Sequence, residues 1–141
     1  GQSIFLGYGA APENVFSQDR SRVQKRLISA FKNALSERAS VLTVAASMST
    51  REQALAVARN NGDSYVIFPR IIHWHELDKS ADGLQAYSIS VTVLAVGSGR
   101  IIDEVVISSR LEEQEQSLYR SGLWFRHPIH LYVAGLYKME G

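Results

Sequence analysis

Apolar residues recur along this chain with two different periods, and the switches between them mark out the elements. Residues 3–8 (Ser-Ile-Phe-Leu-Gly-Tyr) form a short apolar run closed by glycine, the pattern of a strand buried on both faces. Residues 9–14, with Pro12, are a predicted loop. From Gln18 to Ala39 the period lengthens, and Val23, Leu27, Ala30, Phe31, Ala34 and Leu35 line up as one stripe of a helix. Arg22, Lys25, Arg26, Ser29, Lys32 and Asn33 fall on its opposite side, and Ser17 or Asp19 is the expected N-cap.

A second strand is predicted at residues 41–45. Ser49-Thr50-Arg51-Glu52 has the spacing of a capping box opening a helix that carries Ala54, Leu55, Val57 and Ala58 and stops at Asn61-Gly62. Residues 64–76 are the longest predicted strand. Strict alternation puts Tyr65, Ile67, Pro69, Ile71, His73 and His75 on one face, with Val66, Phe68, Arg70, Ile72, Trp74 and Glu76 on the other. Pro69 has no amide to donate, so it predicts an edge position or a bulge near the middle. After a polar loop at 77–84, Tyr87, Ile89, Val91, Val93 and Ala95 alternate inward against Ser88, Ser90 and Thr92 outward. Gly97-Ser98-Gly99 turns the chain into the β-branched run 100–110, completing a predicted antiparallel meander. Residues 111–122 are a predicted surface loop. Pro128 suits the first turn of a closing helix whose apolar face is Ile129, Tyr132, Val133 and Leu136.

The order is β-α-β-α-β-β-β-α. Helices with one apolar face each need a sheet to cover, so the expected fold is a single α/β (α+β) domain over residues 1–141, a mixed sheet of about five strands with helices packed on it. A chain of 141 residues that is 45% hydrophobic and 21% charged can bury an ordinary core. The net charge of +1 supplies no basic stripe for nucleic acid. The absence of cysteine excludes disulfides, thiolate metal sites and cysteine nucleophiles.

Four histidines are the sharpest chemical feature. His73 and His75 lie two apart on a predicted strand, and His127 and His130 three apart around a helix start. Together they are a candidate four-nitrogen site for zinc, copper or nickel, all of which accept neutral imidazole. The competing reading is ordinary polar-aromatic residues at a strand end and a helix start. Trp124-Phe125, between polar residues and a proline, either pins the last helix to the sheet or stands exposed as a partner-binding element. Tyr65 and Tyr87 fit core packing better than an interface. The basic side of the first helix (Arg22, Lys25, Arg26, Lys32) is a solvated face, with anionic headgroups or an acidic partner as the alternative.

No catalytic spacing is present. Gly7-Tyr8-Gly9 lacks the third glycine of a dinucleotide fingerprint, and no nucleophile elbow, zinc-protease helix or phosphate loop occurs. Asp103-Glu104 are adjacent carboxylates on a strand, so they face opposite ways; Glu112-Glu113 sit in a polar loop. No cofactor is expected, and a hydrolase would need a site of unrecognised pattern.

The segments Asn61-Gly62-Asp63-Ser64-Tyr65-Val66-Ile67, Pro69-Arg70-Ile71-Ile72-His73-Trp74-His75-Glu76, Val96-Gly97-Ser98-Gly99-Arg100-Ile101-Ile102-Asp103 and His127-Pro128-Ile129-His130-Leu131 together resemble an uncharacterised family of small bacterial lipoproteins, a domain of unknown function. More loosely, the layout is similar to the amino-terminal domain of the Tol translocation propeller protein, the curli-secretion lipoprotein and the lipoprotein activators of peptidoglycan synthases. The resemblance covers about two-thirds of the chain and the last helix. It implies a periplasmic domain anchored to the outer membrane by lipid on a cysteine ahead of residue 1. It carries no catalytic residues to transfer. The start at Gly1-Gln2-Ser3 is expected to follow removal of a leader. The implied function is non-enzymatic binding of an envelope protein or a peptidoglycan-linked partner. Metal binding and hydrolysis are the alternatives.

Overall fold

The computed structural model describes residues 2–10, 17–74, 85–110 and 126–140. They form β1 (Ser3–Leu6), α1 (Ser17–Ser36), β2 (Val41–Val44), α2 (Arg51–Asn61), β3 (Tyr65–Trp74), β4 (Gln85–Ala95), β5 (Ile101–Arg110) and α3 (Arg126–Glu140). The strands make one five-stranded sheet in the order β2-β1-β3-β4-β5, the mixed α/β arrangement expected. β1 runs parallel to both β2 and β3, and β3-β4-β5 is the predicted antiparallel meander.

The two faces of the sheet are covered unequally. On one face Ile4, Leu6, Ile67, Ile71, Ile89, Val91 and Val93 join Leu27, Ala30, Phe31, Ala34 and Leu35 of α1 and Ile129 and Val133 of α3 in the main core. On the other, α2 packs Ala54 and Ala58 against Phe5, Val66, Phe68, Leu94 and Val96. β1 is therefore buried on both sides, as its unbroken apolar run predicts. Val57, assigned to the apolar side of α2, is instead 44% exposed, because the contact is made by Ala54 and Ala58 with Leu55 packed beside them.

The start of α2 differs by one residue from the expected capping box. Thr50 is the N-cap: its hydroxyl accepts from the Gln53 amide (3.1 Å) and the Gln53 side chain accepts from the Thr50 amide (2.9 Å). Ser49 cannot take that part, because its amide donates to the Tyr8 carbonyl (3.0 Å) and its hydroxyl to the Thr50 carbonyl (3.1 Å). At the other end Gly62, at φ +75°, closes the helix: its amide donates to Arg59 and that of Asp63 to Ala58.

Pro69 lies in a central strand, contrary to the edge expected. Its carbonyl accepts from the Gly9 amide (3.3 Å), so the backbone of Pro69 faces the β1 side at a point beyond Leu6, where β1 has already ended. The missing amide thus interrupts no ladder bond to β4. A bulge does occur, but further along: Ile71 is opposite Ile89 while His73 is opposite Ser88, so position 72 is the extra residue. The strict alternation predicted through His73 fails there. Registers 71 and 73 fall on opposite sides of the sheet.

α3 is tied to β5 by the Tyr132 hydroxyl, which donates to Asp103 Oδ2 (2.8 Å). Burial first, then the hydrogen bond and the charge of Asp103, push the phenol of Tyr132 well above its ordinary value. A folded pKa above the unfolded value means that the native state holds its proton more tightly. The stability this contributes is full below the unfolded pKa and is lost as pH rises past about 10. The urea midpoint of the wild type should therefore fall between about pH 8 and about pH 11 by more than that of Tyr132→Phe. At neutral pH the substitution itself should cost about 1–2 kcal/mol. Equal alkaline slopes in the two proteins would contradict this account.

Candidate functional site

Of the sequence-predicted metal residues, His73 is placed in β3 and His127 in the first turn of α3 by their backbone alone, and His75 lies outside the described residues. His130 is half-buried on α3, with Nε2 fully buried and without a hydrogen-bond partner among the described residues. Leu136 and Tyr137 near the end of α3 line a small hollow with Tyr65 and Ile67 at the start of β3. The first turn of α3 therefore points toward the end of the sheet where β3 finishes. No group of three or more potential ligands for a metal is assembled among the described residues. Trp124 and Phe125 lie outside the described residues. On α1, Lys25 and Lys32 are exposed and Arg26 half-exposed.

A polar hollow lies elsewhere, on the sheet face that α2 leaves partly bare. It is a groove of about 490 Å³. Its floor is two cross-strand rows: Phe68, Thr92 and Glu104 in one, Arg70 and Ser90 in the next. Its wall is Gly9-Ala10 and the first turn of α2 with its approach, Ser49 to Glu52.

Backbone bonds hold that wall in place. The Gly7 amide donates to the Ile67 carbonyl (3.0 Å) and the Gly9 amide to that of Pro69, so the chain beyond β1 continues alongside β3. The Gln24 side chain donates to the Gly9 carbonyl (3.1 Å), and Ser49 is bonded to Tyr8. Two glycines permit this close approach. A Cβ on Gly7 would lie 3.2 Å from Ala54 Cβ and from Phe68 Cδ2, and one on Gly9 3.1 Å from the stem of Arg70. Gly7→Ala should therefore push Ala54 and Phe68 back by a few tenths of an ångström and destabilise by about 1–3 kcal/mol, read from a urea titration. A loss under a few tenths would show that α2 can yield there.

The groove is polar in an unusual way. Arg70 and Glu104 are exposed on its floor, with neither an ion-pair nor a hydrogen-bond partner among the described residues. Thr92, expected to face outward, is only 3% exposed. Its hydroxyl likewise has no hydrogen-bond partner among the described residues. Ser88, also expected outward, is buried and its hydroxyl is 3.0 Å from that of Ser108. Asp103 and Glu104 point to opposite sides of the sheet as adjacent strand residues must, one to Tyr132 and the other into the groove.

In sequence, the chain matches no family model and no curated protein. In structure, it is similar to PelC from Paraburkholderia phytofirmans, solved as a dodecamer, at TM-score 0.59 and 8% identity over 92% of this chain and 85% of that one. The hypothetical protein CT253 from Chlamydia trachomatis superposes at 0.59 with 10% identity, covering 96% and 95% of the two chains. Lipoprotein GNA1162 from Neisseria meningitidis gives 0.54 with 13% identity over 87% and 95%. The chain has their fold. The resemblance to small bacterial lipoproteins that the sequence motifs carry is thus met at the level of architecture. No helix among the described residues is long and apolar enough to cross a membrane.

The sequence names these groove residues singly but does not join them into a site. The signal was there in fragments: an arginine inside the apolar stretch 65–72, hydroxyls at 90 and 92, a glutamate in a β-branched run. Only the register of three strands brings them together.

Proposed function

We propose that this chain is a non-enzymatic recognition domain of the bacterial envelope, held by a lipid anchor at the periplasmic side of the outer membrane. Its task is to bind a protein or a peptidoglycan-linked partner. The envelope reading is supported by the fold shared with a Neisseria lipoprotein and with PelC, together with the motif resemblance. The binding reading rests on one observation: β5 is an edge strand, and its Ile101, Ile102 and Val106 are 50%, 45% and 59% exposed. An apolar, β-branched edge with no strand paired beyond it among the described residues is a surface suited to being covered.

Palmitate labelling and membrane fractionation of the full-length gene product test the compartment. A cytoplasmic, unlabelled product overturns it. A photo-crosslinker at Val106 tests the edge, and the expected result is one discrete adduct in intact cells that Ile101→Lys removes. PelC is a dodecamer, so an adduct between two copies of this chain is one form of that result. No adduct, or one indifferent to Ile101→Lys, overturns the edge as the binding surface.

The histidines support a second reading, because a buried imidazole nitrogen without a hydrogen-bond partner among the described residues, as in His130, suits a metal ligand. Calorimetry with zinc, copper and nickel should then show saturable heat that His130→Ala abolishes. No heat above buffer rejects it.

A further inference from the structure

The groove beside α2 has the makings of a ligand site that is independent of the envelope reading and takes Glu104 from β5 but none of its exposed apolar residues. Its charged residues are two arginines, Arg51 and Arg70, and two glutamates, Glu52 and Glu104, so it is formally neutral. The side made by α2 and β3 carries Arg51, Arg70 and Glu52, a net positive charge, and the β5 side carries Glu104. Arg70 is on β3, next to Gly9, and Gly9 adjoins the Tyr8 carbonyl that fixes the start of α2. At that start the capping box occupies the amides of Thr50 and Gln53, leaving those of Arg51 and Glu52, at the positive end of the helix, for a ligand. Glu104, on β5, lies across β4 from Phe68, one row along from Arg70. One side of the groove attracts a carboxylate and the far side a cation.

A helix start alone would prove little. Thr92 supplies the second observation. It sits between the two charged flanks, 3% exposed, lines the groove, and its hydroxyl has no hydrogen-bond partner among the described residues. A hydroxyl on the floor of a groove and bonded to no described residue is open to a ligand. Ser90, half-buried two residues away on the same side of β4, adds another hydroxyl. Phe68 gives the floor an apolar strip.

From these features we infer that the groove binds a short peptide with both termini free, its carboxylate at Arg70 and the first turn of α2, its ammonium at Glu104, and its backbone over Thr92 and Ser90. The dimensions set the length. Strands two apart in a sheet are separated by about 10 Å, and an extended peptide spans roughly 3.5 Å per residue. Two or three residues bridge the two charges, and a single amino acid does not. A volume of about 490 Å³ is in the range of small-ligand pockets.

The test uses trialanine, its N-acetylated form and its C-amidated form, followed by amide chemical shifts of the whole chain. Trialanine should give saturable shifts at Gly9, Arg51 and Thr92, and capping either end should weaken binding about tenfold or more. Glu104→Gln should erase the discrimination against the acetylated peptide while keeping that against the amide; Arg70→Gln should do the reverse. Both residues are exposed, so neither change threatens the fold. Thr92→Val should weaken all three peptides, with Ser90→Ala as the parallel variant should Thr92→Val fail to fold. Absence of saturable shifts, equal binding of capped and free peptides, or binding indifferent to both charge variants overturns the inference. None of those results bears on the β5 edge, which is tested by crosslinking.

Discussion

Phe31→Ala is expected to remove about 3–5 kcal/mol of stability, read from a urea titration, with a fall in Tm of roughly 10 °C or more. Phe31 is fully buried on α1 and belongs to the cluster that joins Leu6, Ile67, Ile89 and Val133, so it is shared by α1, the sheet and α3. Truncation removes the transfer free energy of the ring and leaves a hole that α1, α3 and the sheet would have to collapse together to fill. Lys32, the next residue, is exposed, and Lys32→Ala should change stability by less than about 0.5 kcal/mol. A Phe31→Ala loss below about 1.5 kcal/mol would mean that α1 is not the central prop of the core.

The second large effect is expected for Val133→Asp, at about 3–5 kcal/mol. Val133 is fully buried on α3, and a carboxylate there meets the apolar cluster of α1 and the sheet. Because α3 is the last element described, the fold can relieve the charge by releasing it. Release also costs the bond from Tyr132 to Asp103 and the stacking of the Arg38 guanidinium over the Tyr137 ring (5.8 Å). Hydrogen exchange should therefore become fast across 126–140 while β3 and β4 amides keep more of their protection. Leu131→Asp, on the 61% exposed side of the same helix, should be close to neutral. Uniform acceleration over the whole chain by Val133→Asp would show instead that α3 unfolds only with the rest.

Both substitutions test positions that the sequence marks plainly. The three- and four-residue recurrence from Leu27 to Leu35 is the buried stripe of α1, and Ile129 and Val133 are the buried side of α3. The alternation of Ile89, Val91 and Val93 is the core side of β4. These patterns are legible because an amphipathic element that buries one side must write that side at its own period. Where two devices compete for one residue, the sequence is ambiguous. Ser49-Glu52 and Thr50-Gln53 both have the spacing of a capping box, and the choice falls to Thr50 because a loop carbonyl, at Tyr8, claims the Ser49 amide. Pro69 misleads for a similar reason. A proline is barred from a ladder bond, and whether a bond is due at that point depends on where the neighbouring strand β1 ends.

The groove lies wholly on the tertiary side of this division. Periodicity and turn chemistry are local, so the sequence by itself determines the element order, the mixed sheet, the buried stripes and the separation of Asp103 from Glu104. Pairing is not local. Strand register places Thr92 between Phe68 and Glu104 and Ser90 beside Arg70, and a bulge at Ile72 moves His73 to the opposite side from Ile71. The short reach of two alanines on α2 leaves the floor of the groove open. Those arrangements depend on contacts between residues twelve to sixty positions apart, whose free energies no local pattern records. They decide where this chain can hold a ligand.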